Sequence, residues 1–345
     1  MKNTALALLI LLLLNACSND NSIPDVSSIK INLKVERFDE NFFSIDTAQL
    51  GNGLARLAQN FPDFTGPFLN TIVAATDSAG VKTFYRLYHP IFDSSQKIYR
   101  DFSPVKSEME EALRYVKFYF PEYKAPSKLL TIVGPMNSIE DMAKMENGEF
   151  TPDFIGQDFI GISLQFYLGK NFSYYQNEYF VNSVAPLYRS RRFDRDYIVP
   201  DAMKLVVDDL FPDKSKTKSL VEQMIERGKQ WWLLDKFLPR TADSLKTGFT
   251  THQLDWCREN EGLIWSYILK NEDLYTLEPT TIQLYIGEAP FTQGFSQEDS
   301  PGNLGTWLGR QIVKKFVANN PGVTPTALMK MPARQILEQA KYKPK

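Results

Sequence analysis

Two histidines and one internal cysteine are the residues from which this chain could build a metal site or an activated nucleophile. A zinc-hydrolase helix needs two histidines four residues apart, because that spacing puts both imidazole rings on one face. His89 and His252 are far apart in the sequence, and neither has a partner at that spacing. Cys257 lies in an apolar pattern of helical spacing, which favours a buried core thiol over a nucleophile. The sequence therefore predicts no metal site.

Acidic pairs and glycine-rich turns are the remaining features that could support catalysis. Asp208-Asp209 and the pair Glu259 and Glu261 have the residue types for acid–base chemistry. A chain with 41 acidic residues forms such pairs by chance, however, and adjacent acids on a helix usually make a solvated face. The nucleophile elbow, the phosphate-binding loop and the dinucleotide fingerprint are absent from the sequence. We therefore predict no catalytic residue and no cofactor.

Residues 1–17 carry a different kind of chemistry. Lys2 precedes an unbroken apolar run over residues 5–14, which is too short to span a bilayer and matches the central region of a secretory signal. The motif Leu14-Asn15-Ala16-Cys17 resembles the lipobox of bacterial lipoproteins, which implies cleavage before Cys17 and its acylation. An ordinary signal peptide with an incidental cysteine is the alternative. We therefore predict a lipoprotein signal peptide over 1–17 and lipidation of Cys17. Two or more acyl chains would hold the mature protein stably in a membrane.

The composition of residues 18–345 predicts a short flexible tether followed by a folded domain. Residues 18–28 are polar and predict a flexible tether. No Pro/Gly/Ser-rich linker interrupts residues 29–345, which we predict to form a single globular domain. A hydrophobic content of 43% is enough for a core and excludes disorder. With 39 basic and 41 acidic residues, the charge favours neither nucleic acid nor a general attraction to anionic lipid.

Apolar periodicity predicts an α+β fold that is mostly helical. Residues 29–38 alternate between apolar and polar, as in a half-buried strand, and 128–134 form a second strand. Residues 159–164 are apolar nearly throughout, as in a strand covered on both faces. Capping boxes predict the start of two later helices at Ser219 and Thr250. We expect a small sheet in the N-terminal half packed against a helical C-terminal half.

The segment 172–196 is rich in tyrosine and arginine, which are enriched at interface hot spots. One interpretation is a contact surface for a partner. The other is a long loop whose tyrosines pack onto the body and whose arginines face water. The candidate interaction surface consists of Tyr174, Tyr175, Tyr179, Arg189, Arg191 and Arg192.

Three glycines recur on one side of a helix predicted over residues 300–319, which begins with a Ser-Pro pair. Because each glycine lowers helix stability by about 1 kcal/mol, we expect this face to pack closely on another element, the helix over 254–268 being the favoured partner. An exposed groove for a binding partner is the competing interpretation. On either interpretation the glycines lie within a helix and form no phosphate cradle. The three residues are Gly302, Gly305 and Gly309.

Six motifs, taken in order, resemble those of a known family. They are RFD (37–39), QDFIGISLQFYLG (157–169), YIVP (197–200), GKQWWLLDKFLP (228–239), QLDWCRENEGLIWSYI (253–268) and SPGNLGTWLGRQIV (300–313). Together with the lipobox they resemble the gliding-motility-associated lipoprotein GldB family of Bacteroidetes bacteria, from about residue 35 to the C-terminal KYKPK. The resemblance implies a lipid-anchored protein of the cell envelope, in a process linked to type IX secretion. It implies protein partners in the gliding or secretion apparatus, and no particular reaction.

A fainter resemblance is to a family of predicted zinc peptidases, and it is carried by the order of the elements. In that family the helix matching 199–210 carries His-Glu-x-x-His, and a later helix supplies a glutamate. Here the first helix has no histidine, and Glu259 or Glu261 could match the later glutamate. Loss of the histidines removes the metal and its activated water. The resemblance therefore implies a degenerate zincin-like scaffold that has become a binding module.

Two functions follow from these observations. The first is a non-enzymatic envelope lipoprotein that binds other components at the membrane surface. The alternative is a periplasmic hydrolase on the same scaffold that acts on peptide or glycan. The sequence does not choose between the inner and the outer membrane.

Overall fold

Four short strands form a sheet in the N-terminal half of the protein. The computed structural model describes residues 23–75, 77–137 and 152–344. Across the sheet the strands are ordered β1-β2-β4-β3, with β3 antiparallel to β4 and the other pairs parallel. The central strands β2 and β4 are almost entirely buried, as strands covered on both faces must be. The strands are β1 (Lys34–Arg37), β2 (Lys128–Ile132), β3 (Phe154–Ile155) and β4 (Phe159–Ser163).

Helices form most of the remaining structure. Those that precede β3 are α1 (Phe38–Phe43), α2 (Leu50–Asn60), α3 (Thr65–Pro67), α4 (Ser78–Tyr99) and α5 (Ser103–Tyr119). Those that follow β4 are α6 (Glu178–Ser183), α7 (Leu187–Ser190), α8 (Ile198–Leu210), α9 (Leu220–Phe237), α10 (Asp243–Thr247), α11 (Thr251–Glu259), α12 (Glu261–Asn271), α13 (Pro279–Ile286), α14 (Leu304–Asn319), α15 (Pro325–Lys330) and α16 (Ala333–Ala340). The predicted fold class, α+β and mostly helical with a small N-terminal sheet, is confirmed.

Helix α9 is the centre of the C-terminal half. It packs along α14 and contacts α8, α15 and α16. Its residues are divided between two hydrophobic clusters: Val221 and Ile225 join the cluster that includes the sheet, whereas Met224 and Trp231 join the one formed with α11 to α14. A helix that is apolar on several faces is a buried helix. Among the described residues, both clusters are built from residues 26–342.

The first of the family motifs fastens α1 to the sheet. Asp39 is fully buried and accepts hydrogen bonds from the Thr131 hydroxyl (2.5 Å) and the Gln96 amide (3.0 Å). Arg37 pairs with the same carboxylate at 2.7 Å and donates to the Tyr99 carbonyl at 2.8 Å. A buried carboxylate is tolerated when it is paired and hydrogen-bonded in this way. The predicted strand over 29–38 is shorter at both ends: the Leu33 amide donates to the Glu110 carboxylate, pairing with β2 begins at Lys34, and the chain turns into α1 at Phe38.

The body begins earlier than the predicted tether allows. Val26 is 6% exposed and belongs to the larger hydrophobic cluster, and its carbonyl accepts a hydrogen bond from the Ile29 amide (3.0 Å). The tether predicted over 18–28 is therefore wrong in its second boundary, because an apolar side chain within it packs into the core. Cys17 lies outside the described residues. Within 23–75, 77–137 and 152–344, none of the helices has the length and apolar character that crossing a bilayer requires.

Glycines bring α14 against α9 at backbone distance. A Cβ atom on Gly309 would overlap the Met224 carbonyl, and one on Gly228 would overlap the backbone of Gly309. A Cβ atom on Gly305 would lie 3.1 Å from Met224 Cγ. These glycines lower the intrinsic stability of the helices but allow their close approach. The main partner of the glycine face is thus α9, and the prediction of the helix over 254–268 as that partner is wrong.

Helix α14 also begins later than predicted, at Leu304. The Ser300 hydroxyl bonds to the preceding turn and caps no helix, so the Ser-Pro pair gives a false start signal. Asn303 has a φ of 59°, in the left-handed region. The residue before Asn303 lies so close to Ala289 that a Cβ atom on it would overlap the Ala289 carbonyl. That residue is Gly302, which therefore belongs to a tight loop and not to the helix.

Candidate binding cavity

The structure contains a cavity of about 360 Å³. Its walls come from three parts of the chain: α7 and the turn that follows it, the loop between α10 and α11, and the loop that leads into α14. Its volume is in the range of small-molecule sites, about 300–1,000 Å³. Its apolar wall consists of Leu187, Trp231, Phe249, Ala289, Pro290 and Pro301. Its charged lining residues are Arg191, Arg192, Lys204, Glu288 and Glu298. We call this space the Arg191 cavity.

Arg191 brings a positive charge to the cavity without an acidic partner. Its guanidinium donates to the carbonyls of Tyr188 (2.9 Å) and Gly248 (2.7 Å) and to Gln253 Oε1 (3.4 Å). In the part of the chain that the structure describes, no carboxylate lies within 4.0 Å of it. Burial lowers the pKa of Arg191, because desolvation disfavours its charge. A guanidinium held by neutral acceptors is oriented in advance for an incoming anion.

Arg189 and Arg192 are neighbours of Arg191 in sequence but pair with Glu288. Arg189 reaches Glu288 Oε2 with Nε at 3.0 Å and NH2 at 2.8 Å, and Arg192 pairs with Oε1. Burial disfavours the charge of Arg192, but the charges of Glu288 and Asp201 outweigh this effect and raise its pKa. These two arginines therefore tie α7 and its following turn to the loop after α13. The two arginines share the single carboxylate of Glu288, which fixes this side of the cavity.

Behind the wall, two carboxyl groups approach one tyrosine hydroxyl. Tyr167 donates to Asp153 Oδ2 at 2.8 Å, and its oxygen lies 3.4 Å from Asp201 Oδ2. Lys204 lines the cavity and pairs with Asp201 at 2.9 Å. Complete burial raises the pKa of Asp153 well above its ordinary range. A carboxyl group with a raised pKa can serve as a general acid, but Asp153 does not line the cavity, so this network supports the wall.

The loop before α14 adds a polar group to the same space. Gly302 and Asn303 line the cavity, and Asn303 is 8% exposed. Among the described residues, none donates a hydrogen bond to Asn303 Oδ1, and this side chain does not cap α14. Backbone amides and the helix dipole favour negative charge at such a helix start. Arg191 and the N-terminus of α14 thus favour an anion in this cavity, whereas Asn303 Oδ1 can only accept a hydrogen bond from a donor group of the ligand.

The structure does not bring the six residues of the candidate interaction surface together. Arg191 and Arg192 line the cavity. Tyr175 is fully buried and donates its hydroxyl to the Gln165 carbonyl at 2.6 Å. The exposed members, which lie outside the cavity, are Tyr174 (40% exposed) and Tyr179 (64% exposed). The segment is therefore partly core, partly cavity wall and partly exposed surface.

The residues considered for metal binding or acid–base catalysis remain apart. His89 lies on α4 and His252 on α11, and each is within hydrogen-bond reach of an aspartate. Glu261 accepts a hydrogen bond from a tyrosine hydroxyl, and neither it nor Glu259 lines the cavity to which Lys204 contributes. Across the described ranges there is no group of three or more His, Cys, Asp or Glu side chains suited to a metal ion. The structure therefore does not bring Glu259 or Glu261 into one site with the helix over 199–210, as the peptidase resemblance implied.

Sequence analysis missed several residues of this site. Lys204, Glu288 and Asn303 come from three separate parts of the chain, and no short motif connects them. The spacing of Asp201 and Lys204, three residues apart on a helix, is a signal for their ion pair. The arrangement as a whole suits an anionic group attached to an apolar portion, because the cation lies beside aromatic walls.

Comparison with known proteins agrees with the motifs described above. The family model described as gliding motility protein GldB matches residues 19–344. Neither a curated protein nor a solved structure matches the chain. The family match extends over the sheet, the helical half and the Arg191 cavity alike. The chain therefore belongs to the gliding motility protein GldB family.

Proposed function

We propose that this protein is a lipid-anchored component of the cell envelope that supports gliding by binding an anionic group of another envelope protein in the Arg191 cavity. Family membership and the lipoprotein name of that family support the gliding role and the anchor. The lipobox-like motif supports Cys17 as the anchored residue. A link to type IX secretion, implied by the family resemblance, is part of the proposal.

The observation that carries the binding role is the Arg191 guanidinium, which among residues 23–75, 77–137 and 152–344 has no carboxylate within 4.0 Å. Arginine presents a planar fork that matches a carboxylate in bidentate geometry, and such charge-assisted hydrogen bonds are stronger than neutral ones. The walls formed by Trp231 and Phe249 exclude water from one side of the site. We therefore expect the ligand to be a carboxylate next to an apolar group, supplied by an acidic side chain or a chain terminus of a partner protein. Binding is favoured over hydrolysis because Asp153, the buried carboxyl group whose pKa is raised, does not line the cavity.

Arg191→Gln tests the binding role in gliding cells. We expect the variant to reach wild-type levels in the envelope but to abolish gliding, because glutamine lacks the charge and the fork. Arg195→Gln is the matched control: it lies in the same segment, pairs with Glu108 on the outside of the body and does not line the cavity. Normal gliding of the Arg191 variant, measured by colony spreading and single-cell tracking, would overturn the proposal.

Cys17→Ser tests the anchor. The variant should lose its acyl chains and leave the membrane fraction after lysis, because the apolar run before Cys17 is too short to hold it there. Fractionation with detection of the protein in each fraction measures this outcome. Membrane binding as firm as that of the parent would exclude Cys17 as the anchor. Stoichiometric zinc in the purified protein would favour the hydrolase instead.

A further inference from the structure

A second cavity, of about 330 Å³, lies where the chain enters the body. Its wall includes Ile23 and Pro24, the first described residues, and side chains from α5, α9, α10 and α14. We call it the root cavity. Its lining has an excess of two positive charges, although the chain as a whole has a net charge of −2. The charged lining residues are the cations Lys236, Lys246, Arg310 and Lys314 and the anions Asp235 and Asp243.

Two of the four cations are neutralised inside the wall. Arg310 donates to both oxygens of Asp235 at 2.8 and 2.5 Å and to Asp243 at 3.0 Å. Lys246 Nζ lies 2.8 Å from Asp235 and 3.0 Å from Asp243. Arg310 is 2% exposed and Lys246 is 6% exposed, so this part of the wall is a buried ion-pair cluster. The two carboxylates are therefore already shared between two close cations.

The other two cations carry the excess charge. Lys314 reaches Asp235 at only 3.8 Å, and 42% of its side chain is exposed. Desolvation, together with the nearby charge of Arg310, lowers the pKa of Lys314. Lys236 Nζ lies 5.1 Å from the centre of the Trp232 ring, and in 23–75, 77–137 and 152–344 it has no carboxylate within 4.0 Å. Two ammonium groups at the mouth of the cavity thus remain available to an anion.

The length of chain between Cys17 and the body limits where the membrane can lie. Five residues lie between Cys17 and Ile23, and the six Cα–Cα steps that join the two span at most about 20–22 Å at full extension. Because Val26 is packed in the core, the body cannot move farther from its anchor. The exposed Phe118, with 44% of its surface accessible, stacks edge-on against Tyr119 in the wall of the root cavity. Exposed phenylalanine is one of the apolar side chains that helices lying on a membrane bury at the headgroup boundary.

We propose that the root cavity binds the phosphate of a lipid headgroup in the membrane that holds the anchor. This inference rests on the proposed lipid anchor, because the anchor places the cavity near the headgroups. Lys236 and Lys314 supply the charge for the phosphate, and the buried ion-pair cluster keeps the wall rigid behind them. The docked lipid orients the body with the face formed by α5, α9 and α14 toward the bilayer, which leaves the Arg191 cavity for a different ligand.

Vesicle binding by the chain from residue 18 onward tests this site without any acyl chain, because that chain contains both hydrophobic clusters of the described residues. The double variant Lys236→Gln/Lys314→Gln is compared with Lys270→Gln/Lys315→Gln, two exposed lysines that do not line the cavity. The probe is vesicles of phosphatidylethanolamine and phosphatidylglycerol in sedimentation at low salt. Each lysine near an anionic surface is worth about fivefold in affinity, so we expect a loss of about thirtyfold for the cavity variant.

Three results would overturn the proposal. One is equal binding of the cavity variant and the parent, and another is an equal loss in both double variants, which would reveal a diffuse charge effect. The third is a rise in the melting temperature of the parent with inorganic phosphate, abolished in the cavity variant, while both bind vesicles equally. That result would assign the cavity to a soluble anion. The vesicle experiment uses protein without an acyl chain, so a negative result would exclude the lipid site and leave the anchor untested. Fractionation of the Cys17→Ser protein tests the anchor independently.

Discussion

The two cavities contain two arginines that are used in opposite ways. Arg310, 2% exposed, directs its guanidinium at two carboxylates, Asp235 and Asp243. Arg191 directs its guanidinium at backbone carbonyls and one amide, and has no carboxylate partner among the described residues. A buried charge that is neutralised within the chain stabilises the fold, because removing one partner leaves the other uncompensated. A charge held by neutral groups contributes little to the fold and is available to a ligand.

Arg310→Met should have the largest effect on stability. The substitution leaves two carboxylates in a largely buried cluster with Lys246 as their close cation, and breaking a buried pair costs about 3–5 kcal/mol. Because Asp235 and Asp243 are 18% and 30% exposed, we expect about 3 kcal/mol, the lower end of that range. Urea unfolding of the chain from residue 18 onward measures the change.

Arg310→Lys is the control for this prediction. Lysine keeps the charge but loses the bidentate geometry, so its effect should be smaller than that of methionine. A loss below about 1 kcal/mol for Arg310→Met would show that the cluster resembles an exposed ion pair. Arg310 would then not differ from Arg191 in its contribution to stability.

Asp243 should make the same cluster sensitive to acid. Burial acts against its ionisation, but Arg310 and Lys246 outweigh burial and lower its pKa below the ordinary value of 3.8. A carboxyl group with a lowered pKa in the folded state contributes stability above its unfolded pKa and loses it as the pH falls. Asp243→Asn should therefore cost about 2 kcal/mol at pH 7, and the gap to the parent should close below about pH 4. Unfolding curves at several pH values test this, and a gap that is constant down to pH 2 would contradict it.

Local signals in the sequence predicted local structure well. The capping boxes at Ser219 and Thr250 are present, and each begins its helix where the pattern placed it. The helix that begins after Thr250 ends at Glu259, and α12 begins at Glu261, with Gly262 in its first turn as the local signal of the break. The Ser-Pro pair at Ser300 has the pattern of a helix start, but tertiary packing of the glycine before Asn303 delays the helix to Leu304. Local preference is overridden where distant backbones approach.

The cavity could be predicted only in part for a related reason. Composition singled out the segment that contains Arg191, but it could not distinguish this arginine from Arg189 and Arg192. The distinction depends on Glu288, which lies 99 residues from Arg189 and 96 from Arg192 in sequence. An ion pair over such a separation has no periodicity or motif, so only the folded chain shows which charge is compensated.

The smallest expected change in stability is that of Arg191→Gln. The folded environment lowers the pKa of Arg191 through desolvation, so its charge is less stable in the folded than in the unfolded state. Replacing it by glutamine removes hydrogen bonds to the Tyr188 and Gly248 carbonyls, so the free energy of unfolding should fall by about 1 kcal/mol, well below the loss for Arg310→Met. Urea unfolding beside Arg310→Met measures both arginines on one scale. A loss as large as that of Arg310→Met would show that Arg191 is a structural brace, and its effect on gliding would then follow from instability. A loss of about 1 kcal/mol or less together with lost gliding would separate binding from folding at this one residue.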